Sequence, residues 1–282
     1  LKFQRNYRLI VETANGGFLT IQPDLTLEFD VKRSTNASLN SAQFRIYNLS
    51  KSNADNIFQD RFNPKSYKRI VLQAGYGQQL STIFIGNIFK ANTYRQGTNL
   101  VTTIDAIDGG FDTTGTITAK TFQGGTLEDI VRSLSGDFEK ITLGAVGDLK
   151  GEFKRPVILN GNTFELMKKY TEDNVFIDLE EIKVLKENEG IEGVVPLLSS
   201  DTGLISVRRD DAFLTVETIF EPRIIMGQLL EIKSSINTKY DGQYKVIGVQ
   251  HGGVISGAVS GKCNSVFNLL IGSQLFGEFN RV

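Results

Sequence analysis

The chain has 282 residues, with 31 Lys and Arg against 32 Asp and Glu for a net charge of −1, so it carries no overall positive field to hold nucleic acid through its phosphates. Hydrophobic residues make up 40% and charged residues 22%, a balance that supports packed cores and argues against a disordered chain, and no apolar run approaches the length of a membrane span. A single cysteine, Cys263, and a single histidine, His251, leave no internal disulfide and too few soft ligands for a zinc site, which fits assembly in a reducing cytoplasm.

The length implies two or three packed units. Leu1 to Tyr7 lacks the charged-then-apolar layout of a secretion signal and lacks an initiator methionine, as after Met removal or a shifted start. Tyr7 to Glu12 reads as a strand, closed by Asn15-Gly16-Gly17, with Phe18 to Ile21 pairing back as a hairpin. Leu25, Leu27, Phe29 and Val31 alternate with polar residues and predict a half-buried strand. A polar loop is expected over Arg33 to Asn40, after which Ala42, Phe44, Ile46 and Asn48 continue the alternation. Ser50 is the N-cap candidate for a short helix that ends before Asn63-Pro64.

Two later stretches, Ile70 to Asp108 and Gln228 to Asn264, read as variations on one theme. Each opens on an apolar strand, Ile70 to Ala74 against Leu229 to Ile232. Each resumes at a strand broken by glycine, Phe84-Ile85-Gly86-Asn87-Ile88 against Val246-Ile247-Gly248-Val249, and finishes on a Thr- or Ser-rich strand. Ordinary β-meander composition is the competing explanation. A unit used twice would let three copies present six similar faces.

Between these stretches the periodicity changes. Leu127, Ile130, Val131 and Leu134 follow helical spacing behind Thr126, a second helix begins at Asn162 or Thr163, and Val175 to Asp178 follows as a strand. Gly203 to Val207 and Phe213 to Thr218 then flank the polar turn Arg208-Arg209-Asp210-Asp211. The fold class is mainly β with a small α+β insert. A first β-barrel or sandwich unit is expected over 1–110, the insert over 111–190, and a second β unit with a C-terminal tail over 191–282.

Specific residues also resemble a family. Phe44 to Ser50, Val71 to Tyr76, Ile83 to Gly86 and Thr103 to Gly109, followed by Phe220 to Gly227, Gly242 to Val246 and Gly248 to Gly257, are together similar to the tail baseplate hub proteins of contractile-tailed bacteriophages. The resemblance implies two tube-like barrels per chain and a homotrimeric, pseudo-hexameric collar in the virion baseplate. That collar would join the six-fold tail tube protein to a three-fold central spike protein, with the tape-measure protein and baseplate wedge components as further partners. DNA passing through the lumen of such a collar would not be held specifically, given the balanced charge, and no membrane insertion is expected from a chain without a long apolar run. Longer family members carry a fused spike, oligosaccharide-binding barrel or lysozyme domain, for which an end near Val282 leaves no room. A tip hub of a non-contractile tail, or of a phage-derived secretion or injection device, is the alternative.

Chemistry receives little support. Serine catalysis would have to use His251, and Gly257-Ala258-Val259-Ser260-Gly261 lacks the spacing of a nucleophile elbow; His251 reads as a turn residue bonded to nearby backbone. A carboxylate-pair peptidoglycan hydrolase could recruit Asp105 with Asp108, or Asp210 with Asp211, although Asp108 and the Asp210-Asp211 pair fall where turns are expected. Gly75-Tyr76-Gly77 is a hairpin connection and not a phosphate loop. Short basic stretches at Lys65 to Arg69 and Arg208-Arg209 read as solvated loops. No catalytic, cofactor-binding or metal residue is assigned, and the expected function is structural, not enzymatic.

Overall fold

The computed structural model describes residues 4–36, 39–60, 62, 67–210, 213–271 and 279–282. The chain is mainly β. The alternation at Leu27, Phe29 and Val31 builds the strand Leu27–Ser34, with those three side chains buried, and Ala42, Phe44 and Ile46 do the same for Ser41–Tyr47. The hairpin of Arg5–Glu12 with Phe18–Ile21 forms in the expected place, Leu9 facing Ile21. Ser50 caps the helix Lys51–Ile57 by accepting the Asn53 N–H. Tyr76 and Gln79 face each other across the turn at Gly77, which makes Gly75-Tyr76-Gly77 the end of a hairpin.

Strand order exposes a duplication that is stronger than the sequence suggested. In the first half the order is Leu27–Ser34, Ser41–Tyr47, Asn99–Ile107, Gln79–Gln96, Lys68–Tyr76, Arg5–Glu12. In the second it is Leu204–Asp210, Phe213–Ile219, Cys263–Leu270, Gly242–Ile255, Leu229–Lys233, Leu197–Ser199. Both are a hairpin laid beside a three-stranded meander, with an earlier strand added at the far side. The middle strand of each meander is bulged at the same station. Pairing with the last strand slips between Ile88 and Lys90 in one, and between Val246 and Gly248 in the other. An extra residue at that point sharpens the local twist and bends the strand.

The shared bulge corrects the alignment made on glycine. It sets Ile88-Phe89-Lys90 against Val246-Ile247-Gly248, so Gly86 corresponds to Tyr244 and not to Gly248. The two glycines answer different needs. A Cβ on Gly86 would lie 2.3 Å from the Ile107 carbonyl oxygen, whereas one on Gly248 would meet only the Asn268 side chain at 3.2 Å.

The two units share one continuous thirteen-stranded sheet, because Gly248–Ile255 pairs antiparallel with Leu27–Ser34. The two β units read from the sequence are thus joined edge to edge. A single sheet wraps two cores, one around Leu9, Val31, Phe44, Leu72 and Phe84, the other around Val216, Leu230, Val246 and Phe267. A third core, around Ile130, Leu134, Leu159, Met167 and Ile182, belongs to the α+β segment. There Thr126 and Asp129 form a capping box on the helix Leu127–Ser135, and Asn162 caps Thr163–Tyr170. These helices pack beside the antiparallel pair Ile117–Phe122 and Val157–Asn162 and the sheet of Thr142–Val146, Glu181–Val184 and Val175–Asp178.

Three further local readings change. Arg33 does not open a polar loop; it extends the buried row of Leu27–Ser34, and Asn40 is buried as well. Asn48 lies past its strand in the left-handed region (φ 59°). Arg208, Arg209 and Asp210 belong to the strand Leu204–Asp210 and not to a turn, while Asp211 lies outside the described residues.

Candidate assembly surfaces and the buried polar joint

Several polar residues with unusual environments cluster where the first β unit meets the α+β segment. Arg33, carried inward by strand alternation, places Nη1 2.6 Å from Asp178 Oδ1 with both side chains fully buried. Lys183 Nζ reaches the other Asp178 oxygen at 3.2 Å. Alongside, Asp108 accepts the Leu179 N–H at 2.8 Å, the Glu180 N–H at 3.1 Å and Asn40 Nδ2 at 3.3 Å. Asn40 also donates to the Ile177 carbonyl and accepts the Ser34 N–H, and Arg69 pairs with Glu180. Together these contacts bind the α+β segment to the first β unit. Burial and the neighbouring Asp178 carboxylate push Asp108 up to about 7, against the three N–H donors that hold it down.

Asp108 is therefore not a solvated turn residue. Gly109 (φ 64°) follows it and leads into the helix Gly110–Gly115, so the chain turns beneath the joint. Asp105 lies on the strand Asn99–Ile107, facing Gln43 on one side and Lys90 on the other. Asp210 ends its strand in an exposed ion pair with Arg208 at 2.9 Å. Asp108 is held by the joint, Asp210 by its ion pair, and Asp105 sits within its strand.

His251 is no turn residue either. It lies inside Gly242–Ile255, fully buried, its Nδ1 sharing a 2.8 Å hydrogen bond with Ser265 Oγ. Ser265 in turn accepts the Glu221 N–H at 2.9 Å. Phe220 and Phe267 meet the imidazole edge to face, with centroids 5.7 and 6.1 Å away. Phe220 belongs to the first core and Phe267 to the second, so the ring sits in the seam between them. Burial and the Arg33 charge hold its pKa well below the ordinary histidine value, which keeps it neutral. A neutral, enclosed imidazole with no hydroxyl aligned toward solvent is a packing group. The Cys263 thiol is also pushed up, to about 11, by burial, which disfavours the reactive thiolate.

Among the described residues, no group of His, Cys, Asp and Glu could hold a metal ion, and no helix is long and apolar enough to cross a membrane. An apolar groove of about 1040 Å³ runs along the second unit, lined by Val194, Pro196, Leu197, Ile219 and Ile224 with Glu221 and Arg223 at its margin. Among the described residues, the hairpin tip over 92–100 is exposed throughout, and Leu204–Asp210 ends the sheet with one strand beside it.

Solved structures share this overall fold. The 43 kDa tail protein of prophage MuSo2 from Shewanella oneidensis superposes with a TM-score of 0.64 at 10% identity, covering 94% of this chain and 97% of that one. The tail protein from Neisseria meningitidis MC58 gives 0.64 at 9% identity, with 97% and 99% covered. The Escherichia coli c3393 protein, described as a type VI secretion component structurally similar to the T4 tail proteins gp27 and gp5, gives 0.57 at 8% identity over 88% and 73%.

Within that class the sequence itself is decisive: the baseplate hub gp41 family matches residues 8–251, and the chain belongs to it. No curated protein matches the sequence. The resemblance read from the residues therefore stands, and the protein is a structural component of the phage tail baseplate. Arg33, Asn40, Asp178 and His251, which shape the joint and the seam, escaped sequence reasoning. The one available signal was an arginine falling in step with the buried row Leu27, Phe29, Val31.

Proposed function

We propose that the chain forms a homotrimeric, non-enzymatic hub that connects the six-fold tail tube to a three-fold central spike at the virion baseplate, after assembly in the host cytoplasm. The observation that carries this reading is the duplication: two units of one strand order, bulged at one station and fused through one sheet, make three chains the geometric equivalent of six. Native mass measurement of the purified protein, or a map of the assembled tail, is expected to show three copies per ring. Cross-linking that placed the protein only in the capsid or outer sheath would overturn the reading.

DNA would pass the ring without being held, since the charge balance offers no dense cationic lining. The tape-measure protein and wedge components are the further partners of such a hub. A role in the tip of a non-contractile tail or in an injection device is the second reading, supported by the likeness to the secretion component c3393. A sheath gene beside its own would favour the contractile case. Peptidoglycan hydrolysis is the competing class, and zymography on cell-wall substrate is expected to show no clearing, with Asp105→Ala as the control.

A further inference from the structure

Matching the two bulges sets the paired strands of one hairpin and meander against those of the other, residue for residue around the bulge. Among the described residues, the strand-to-strand junction between the units is the far half of one middle strand, Gly248–Ile255, laid against the outer strand of the other unit's hairpin, Leu27–Ser34. Each chain keeps the complementary elements unused. The far half of the first unit's middle strand is Asn92–Gln96, and the outer strand of the second unit's hairpin is Leu204–Asp210. We propose that these two pair between copies of the chain, repeating from subunit to subunit the junction that the fold builds inside one. The proposal rests on the ring reading above and names its interface.

The register follows from the internal junction. There Gln250 faces Lys32, Gly252 faces Asp30 and Val254 faces Glu28. Asn92, Tyr94 and Gln96 are the counterparts of the first set. Asp210, Arg208 and Ser206 are those of the second, placed by their pairing with Phe213, Thr215 and Glu217. Asn92 thus faces Asp210 of the next copy, Tyr94 faces Arg208, Arg95 faces Val207 and Gln96 faces Ser206, all antiparallel.

Two independent features agree with this register. Ala91 directs both its N–H and its C=O away from the neighbouring strand to Gln59, at 2.9 and 3.1 Å. Because alternate residues of a strand point their backbone groups the same way, Thr93 and Arg95 also offer theirs outward. Gln59 blocks the edge at Ala91, so pairing has to begin at Asn92. Asn92 is the residue that the duplication sets against Asp210, where the opposing strand ends. Side-chain chemistry is compatible as well, since Tyr94 and Arg208 are both exposed in the single chain and a guanidinium facing a phenol ring is an attractive pair. Pairing would also cover two open edges that otherwise invite aggregation.

Disulfide trapping tests the pairing. Tyr94 and Arg208 would form a non-hydrogen-bonded pair, with Cα atoms about 4.5 Å apart and within disulfide reach. In a Cys263→Ala background, the full-length double variant Tyr94→Cys/Arg208→Cys is expected to give covalent dimers and trimers on mild oxidation. These should collapse to monomer on reduction, and either single variant should give none. Native mass of the same samples reports copy number separately. A trimer that forms no disulfide here would overturn the pairing and leave the ring standing, as would one that links only when the second cysteine replaces Ser206 or Asp210. A protein that stays monomeric and unlinked would overturn the ring reading itself.

Discussion

At equivalent stations the two middle strands differ sharply. Asn92–Gln96 reads Asn-Thr-Tyr-Arg-Gln and is exposed along its length, whereas residues 250–254 read Gln-His-Gly-Gly-Val and are partly or wholly buried, with His251 fully enclosed. Both follow the same bulge, so backbone geometry does not set the difference. What differs is the neighbour: the second strand already has Leu27–Ser34 beside it, and the first awaits one. One strand position thus carries either seam chemistry or surface chemistry according to whether its edge is taken within the chain.

The units also differ in what surrounds the shared strands. The first adds Arg5–Glu12 antiparallel and carries a capped helix between hairpin and meander; the second adds Leu197–Ser199 parallel and crosses the same gap without an α-helix. The first is fastened to the α+β segment through the buried Arg33–Asp178 pair, the second through Phe176 and Leu185 in its core. Severing the buried pair is expected to have the largest effect. Asp178→Ala leaves the buried Arg33 guanidinium without its carboxylate and should cost about 3–5 kcal/mol in denaturant unfolding, whereas Arg33→Ala, which leaves Asp178 paired with Lys183, should cost less. Arg208→Ala, in the exposed pair of the second unit, should cost under about 1 kcal/mol.

Next in size is the glycine contrast. Gly86→Ala drives a Cβ into the Ile107 carbonyl and should cost about 2–3 kcal/mol, whereas Gly248→Ala has only a side chain to displace and should cost under about 1 kcal/mol. Equal losses would mean that the bulge-based alignment is wrong.

The pH dependence separates seam from joint. His251 stays neutral when folded, while the unfolded chain takes up a proton below its ordinary value near 6.5. Its contribution is therefore lost as pH falls below that value, by at most about 2 kcal/mol at pH 5. Asp108 has the opposite sign: its folded value, about 7, exceeds the unfolded 3.8, so its stability is present at low pH and is lost as pH rises toward 7. Relative to the parent protein, His251→Phe should gain stability on acidification from pH 7 to 5 and Asp108→Asn should lose it. Thermal melts across that range give both slopes.

A modest effect comes from the helix that only the first unit has. Ser50→Ala removes the acceptor for the Asn53 N–H and should cost about 1 kcal/mol.

Much of this fold was legible because the physics behind it is local. Alternation announced the strands at Leu27 and Ala42, and Ser50 and Thr126 announced their helices through capping geometry reached within three residues. The joint was not legible, because the partner that makes Arg33 tolerable in a core lies 145 positions away at Asp178. His251 was misplaced for a related reason. Two following glycines resemble a turn, and only the long-range pairing with Val31 and Ser265 reveals a continuous strand. Glycine also misled the internal alignment, since Gly86 relieves a backbone collision and Gly248 stands beside the bulge. The assembly surfaces were invisible for a different reason: an open edge is defined by what does not lie beside it.

The strand Gly242–Ile255 has a mechanical consequence. It engages Leu229–Lys233 near its start and Leu27–Ser34 near its end, while Cys263–Leu270 runs along its other flank. A pull along the strands that tries to part the two halves loads all eight register pairs with Leu27–Ser34 in shear at once, instead of peeling them one by one. The halves should therefore yield together, as a single rupture event under force and a single calorimetric endotherm.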